Sequence, residues 1–169
     1  AEPPLPTDPI SLDGARTKGD PGARVALLEF ADFECPSCAR FASATLPSII
    51  RSQVSDGKVF LAFRHFPLSI HRRAQGAAQA AECAGEQGKF WEMHDLLFAN
   101  QLYLDPLSLV DRARALHLDT AAFAQCNGGR AADRVKADLT IASVLGVRAT
   151  PTFFIGVRER DGRLRGLRL

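Results

Sequence analysis

Strong charge of either sign is missing from this chain. Its 169 residues carry a formal net charge of only +2, which gives no case for nucleic acid or a lipid surface as a partner. A run of arginines after Gly156 is the local exception. No apolar stretch is long enough to span a bilayer. There is no internal repeat, and no low-complexity block beyond the opening "AEPPLPTDP". That opening has neither an initiator Met nor an apolar signal core, which suits a mature exported protein or a trimmed chain. Cysteine is scarce, at four residues. A chain of this length buries a substantial core without disulfides, so the cysteines need another reason to be there.

What is present reads as one soluble domain, 46% hydrophobic and 24% charged. "RVALLEF", Arg24 to Phe30, and "KVFLAFRHF", Lys58 to Phe66, are nearly continuous apolar runs, the pattern of strands buried on both faces. Between them, Pro36 to about Ser55 reads as a helix with Phe41, Leu46, Ile49 and Ile50 on its core face. Pro47 should kink it or interrupt its hydrogen bonding. Strand, helix and strand make a right-handed βαβ unit. From Ser69 to Leu145 the sequence is Ala-rich and amphipathic, and four or five helices are expected. Asp105–Pro106 supplies an N-cap and first-turn proline, and Asn127–Gly128 a helix C-terminus. "TPTFFIGVRER" returns to strand character, and "DG" at Asp161–Gly162 predicts a hairpin into "RLRGLRL". The stripe Phe90, Trp91, His94, Leu97 and Phe98 reads as packing. The expected divisions are a flexible lead-in (1–9), a first α/β part (10–68), a helical insertion (69–146) and a closing β-hairpin part (147–169).

The chemistry lies in "FADFECPSCARF". A helix starting at Cys35 puts that residue at the N-cap, Pro36 at the first helical position and Cys38 one turn in. The free N–H groups of Ser37 and Cys38 would then face the Cys35 sulfur and, with the helix dipole, favour its thiolate. Thiolate is the attacking species in disulfide exchange. Cys38 would be less exposed and would resolve the mixed disulfide. A zinc site needs four ligands; Cys35 and Cys38 supply two, and His65, His71, His94 and His117 show no paired spacing. An inert staple is the other alternative, disfavoured by the βαβ context. Thr150–Pro151 precedes a strand, either as a plain first-residue proline or as a cis proline beside the disulfide. Glu29 either faces solvent or is buried with a raised pKa, able to relay protons to Cys38. Cys83 and Cys126 lie apart in the insertion. Even cysteine counts in exported proteins usually pair, so a structural disulfide is expected, against two small buried thiols as the alternative.

Taken together, "VALLEFADFECPSCARF", "FRHFPLSIH", "AAECAGEQGKFWEMHDLLFANQ" and "ASVLGVRATPTFFIG" resemble, in order, the DsbA family of disulfide oxidoreductases. The resemblance implies a thioredoxin-like fold, a βαβ…ββ sheet interrupted by an all-helical insertion. It implies Cys35 as nucleophile, Cys38 as resolving cysteine, Pro151 as the cis proline after Thr150, and Glu29 at the family's buried acidic position. Two departures stand out. The dipeptide between the cysteines is Pro-Ser rather than Pro-His, which implies a milder oxidant, and the family's C-terminal helix has no counterpart after "GRLRGLRL". The expected function is an extracytoplasmic (periplasmic or cell-envelope) thiol–disulfide oxidoreductase, acting as an oxidant on reduced or unfolded proteins. A membrane redox partner, a monomeric state, and no need for an organic cofactor, metal or nucleic acid complete the expectation. The same chemistry run as a reductase or isomerase, and a redox-inactive chaperone-like module, are the alternatives.

Overall fold

A computed structural model describes residues 8–169. Most of the lead-in expected at 1–9 therefore lies outside the described residues. In chain order the elements are β1 (Arg16–Lys18), β2 (Val25–Ala31), α1 (Pro36–Arg40), a π-helical turn (Phe41–Thr45), α2 (Leu46–Ile49), a second π-helical turn (Ile50–Val54) and β3 (Val59–His65). The insertion follows as α3 (Ala74–Glu86), α4 (Phe90–Ala99), α5 (Pro106–Ala115), α6 (Thr120–Cys126) and α7 (Arg130–Val144). β4 (Thr152–Arg158) and β5 (Leu164–Arg168) close the chain. The sheet order is β1-β3-β2-β4-β5, with β2 and β3 parallel and the other pairs antiparallel. This is the expected α/β architecture, a βαβ unit and a hairpin separated by helices.

Alternation along β2 sorts its side chains to two faces. Ala26, Leu28 and Phe30 pack with Ala62, Phe154 and Ala142 of α7. Leu27 packs on the other face with Leu61, Leu46 and Val54, flanked by Phe41, Ile49 and Ile50. The helical run from Pro36 thus covers the sheet with the expected residues, but not as a regular helix. The Leu46 N–H reaches back to Phe41 O, and the Ser55 N–H to Ile50 O, five residues in each case. Pro47 cannot donate, and the widened turn before it carries the ladder past the missing donor.

The insertion is built on Ala-rich α3, whose small side chains let α4 approach closely: Ala77, Ala81 and Ala84 share one buried cluster with Phe90, Met93 and Leu97. His94 is fully buried against the rings of Phe33, Phe63, Phe90, Trp91 and Phe98. Asp105 caps α5 through the Ser108 N–H with Pro106 behind it, and Gly128 takes φ 84° just after α6. In the closing hairpin Gly162 takes φ 85°. The arginines there are engaged locally: Arg163 pairs with Asp161, Arg165 with Glu159, and Arg158 and Arg168 lie over Phe60 and Phe154.

Buried charges bind the insertion to the sheet. Arg64, at 1% exposure, pairs with Asp138 of α7 at 2.8 Å and donates to Ser11 O and Asp13 O. Asp138 also accepts the His65 N–H at 2.8 Å. On the other face, Glu82 of α3 takes His65 Nε2 at 2.8 Å and Arg16 Nη2 at 2.5 Å. Burial works to raise the Glu82 pKa, but the hydrogen bonds and charges of His65 and Arg16 outweigh it and hold the carboxyl down at about 2. β1, a strand with no apolar run to announce it, exists because Arg16 ties to α3 while its backbone pairs with β3.

Candidate active site

Cys35 is the N-cap of α1, with φ −71° and ψ 121°, and Pro36 fills the first helical position. The Cys38 N–H donates to Cys35 Sγ at 3.4 Å; no such bond comes from Ser37, so one of the two expected donors reaches the sulfur. Both thiols are free, with Cys35 6% exposed and Cys38 fully buried. The Cys35 thiol donates to Thr150 O at 3.4 Å, and the Thr150–Pro151 bond is cis. Thr152 Oγ1 donates to Ala149 O at 2.6 Å, which pins the turn that presents this carbonyl.

Burial pushes the Cys38 thiol well above its ordinary range; a hydrogen bond from the Asp32 backbone opposes this, and the neighbouring Cys35 and Glu29 charges add to it. Cys38 is therefore held as the neutral thiol. Glu29 shares with Leu27 the side of β2 that the helical run covers and is 1% exposed, with no hydrogen-bond partner at Oε1. Burial first, and the Cys35 charge second, raise its pKa to about 8. An uncharged carboxyl at neutral pH lies beneath a dithiol, which is the arrangement of a buried proton donor and acceptor.

Residues that sequence reasoning did not assign to the site hold Cys35 and its loop in place. Buried Asp32 accepts from the Glu34 N–H (2.7 Å), the Leu68 N–H (2.7 Å) and His71 Nδ1 (2.7 Å), and its carbonyl accepts the Cys35 N–H at 3.0 Å. Glu34 in turn accepts the Arg73 N–H at 2.7 Å. The loop before Cys35 is thereby sewn to the loop between β3 and α3. From the insertion, Gln101 Nε2 donates to Phe33 O at 2.8 Å and Cys35 O at 3.0 Å. The one local signal was an Asp placed two residues before a free loop N–H, the pattern of an Asx turn. His71 and Gln101 carry no local signal. Away from these groups, Cys83 of α3 and Cys126 of α6 form a disulfide with Cα atoms 5.6 Å apart.

The family model described as Thioredoxin matches residues 11–166. The solved structure of alpha-DsbA1 from Wolbachia pipientis is 29% identical, covering 94% of this chain and 86% of that one, with a TM-score of 0.77. DsbA2 from Pseudomonas aeruginosa is also 29% identical, covering 90% and 84% of the two chains, with a TM-score of 0.71. BdbD from Bacillus subtilis, 24% identical with a TM-score of 0.81 over 94% and 91%, shares the fold. Among curated proteins, one named Na(+)/H(+) antiporter NhaA 3 from Salinispora tropica is 41% identical over 156 residues, 91% of this chain and 23% of that protein. The chain thus spans about a quarter of the length of such relatives. Among the described residues, no helix is long and apolar enough to cross a membrane. With its sequence matched almost end to end and a Cys-X-X-Cys helix set against a cis proline, the chain belongs to the thioredoxin family, as a DsbA-like thiol–disulfide oxidoreductase.

Proposed function

We propose that this domain oxidises the thiols of reduced proteins on the outer side of a cytoplasmic membrane, with Cys35 as nucleophile and Cys38 as resolving cysteine. The observation that carries the reading is the seat of the Cys35 sulfur, between the Cys38 N–H at a helix start and the carbonyl before Pro151. In the oxidised enzyme a substrate thiolate attacks Cys35 Sγ. The Cys35–Cys38 bond breaks, and its electron pair leaves on Cys38. Glu29, kept neutral by its burial, gives that sulfur its proton. A second substrate thiolate attacks the substrate sulfur of the mixed disulfide and releases Cys35. Two electrons pass to the enzyme, and the substrate gains one disulfide. A membrane redox partner takes the electrons away and restores the Cys35–Cys38 bond. The antiporter names of the curated relatives support a place at a membrane surface. The Cys83–Cys126 bond takes no part in exchange; it braces α3 against α6.

Direction follows reduction potential. Equilibration against glutathione buffers measures it: a value above about −200 mV supports the oxidant, and one near about −270 mV makes the domain a reductase. Mixed with a disulfide-bonded protein, a Cys38→Ala variant should accumulate mixed disulfide, because the Cys35 thiolate breaks the protein's S–S bond and nothing resolves the product, and Cys35→Ser should accumulate none. Equal behaviour of the two would leave only a binding module.

A further inference from the structure

Three separate segments deliver exposed arginines to the surroundings of Cys35. Arg40, on α1, donates from Nη2 to Ser37 Oγ at 3.2 Å, between the two cysteines. Arg72 and Arg73 follow His71, the partner of Asp32, and the Arg73 N–H is held by Glu34, the residue before Cys35. Arg148 lies two residues before Thr150, whose carbonyl accepts the Cys35 thiol. Elsewhere, arginines such as Arg16, Arg64, Arg114 and Arg130 are paired with carboxylates. Among the described residues these four have no acidic partner in hydrogen-bond or ion-pair contact, Arg72 and Arg148 donate no side-chain hydrogen bond, and Arg73 acts on Asp105 through its charge alone. The carboxylates nearby are already engaged, Asp32 with His71, Glu34 with a backbone N–H and Asp105 with Ser108. Beside the arginines stand two apolar side chains turned to solvent. Ile70 is 78% exposed on the same loop as Arg72, and Leu102 is 87% exposed next to Gln101, which touches Cys35 O.

We propose that this rim selects reduced protein segments in which the reacting cysteine is flanked by acidic side chains. The inference rests on the oxidoreductase reading and names the substrate class of the same site. Acidic neighbours disfavour the thiolate of a cysteine, so such cysteines attack disulfides slowly on their own. Guanidiniums from these three segments offset that penalty as the segment docks and also draw it in, since electrostatic steering raises association rates by about 10-fold to 1,000-fold. Arginine suits the task, because its fork pairs with carboxylates and its charge is not lost at any working pH. Ile70 and Leu102 then meet the apolar side chains of an unfolded segment.

The test compares three short peptides with one cysteine each, flanked by Asp, by Ser or by Lys. The oxidised chain is mixed with each, and the second-order rate of Cys35–Cys38 consumption is read at low and high salt. The Asp peptide should react about 10-fold or more faster than the Lys peptide at low ionic strength. The gap should close near 1 M salt, where the Debye length is only about 3 Å. In an Arg72→Glu/Arg148→Glu variant the order of the two peptides should invert. That ratio, taken within one sample, is insensitive to the folded fraction. Arg160→Glu is the control, because it makes the same kind of charge change at the far end of β4, about 20 Å along the strand; the Asp peptide should stay ahead there. Equal rates for Asp and Lys peptides, or an order unmoved by the double reversal, overturn the inference while leaving the oxidoreductase reading intact. Failure of the Ser peptide to react at all overturns that reading, and the inference with it.

Discussion

Replacing Glu29 by Gln should make the protein more stable at neutral pH while slowing its chemistry. The carboxyl is ordinary in the unfolded chain, with a reference pKa of 4.5, and is raised to about 8 in the fold. Below about pH 4.5 it is neutral in both states and costs nothing. Between the two values the unfolded chain releases a proton that the fold retains, so stability falls by about 1.4 kcal/mol per pH unit. At pH 7 the penalty is about 3 kcal/mol, and above about pH 8 it reaches its limit. Gln is of similar shape and does not ionise, so the penalty is absent in the variant. Urea unfolding of both reduced proteins across about pH 5 to 8 isolates it, because groups that do not interact with Glu29 cancel in the difference. The stability gap should widen by about 4 kcal/mol across that range. Part of the shift comes from the Cys35 charge, so the same series on the disulfide form should begin to widen at the same pH and level off earlier. In stopped-flow exchange, the variant should also release Cys38 more slowly below pH 8. Parallel stability curves would refute the placement of a neutral Glu29 beneath the cysteines.

The Cys83–Cys126 bond closes a loop of 43 positions, and removing it with a Cys83→Ala/Cys126→Ala pair should cost about 4 kcal/mol from chain entropy. That lowers the melting temperature by about 10 °C, with exchange at Cys35 retained below the transition. Asp32→Ala leaves three buried or half-buried donors without an acceptor and should cost about 3 kcal/mol. A larger effect is expected on the rate of attack at Cys35, measured on the folded fraction, and an unchanged rate would remove Asp32 from the positioning of the nucleophile. Arg64→Met strands the Asp138 carboxylate in the core and should cost about 3–5 kcal/mol. Chemical denaturation reads this directly, and a loss under 1 kcal/mol would show Asp138 to be satisfied without its partner.

What could be read in the sequence was written locally. The two apolar runs became β2 and β3, Asp105–Pro106 capped α5, and Asp161–Gly162 turned the last hairpin, because each needs only neighbouring residues to specify it. The seat of Cys35 was legible for the same reason, since an N-cap and a first-turn proline are sequence neighbours. Glu29 was legible only as a choice, because its burial depends on the helical run from Pro36 to Val54 lying over β2. β1 was not legible at all: Arg16, Thr17 and Lys18 form a strand through pairing with Leu61, Ala62 and Phe63. The same holds for Arg64 and Asp138, 74 positions apart, and for Gln101, which reaches Cys35 across 66. Such pairings are properties of the closed fold.

The two widened turns in the helix behind the cysteines also bear on chain length. A bond from one residue to the fifth before it encloses one residue more than a regular α-helical turn does, so the run from Pro36 to Val54 holds slack at Phe41–Thr45 and again at Ile50–Val54. Loss of a single residue from either turn can be taken up by tightening it to the regular pitch. Neither the cap at Cys35 nor the entry into β3 at Val59 then has to move. Gaps of one position between related chains should therefore collect in these two stretches, and a gap placed in the regular turns of the run from Pro36 to Val54 would rotate the apolar face of the helix away from Leu27 and Leu61.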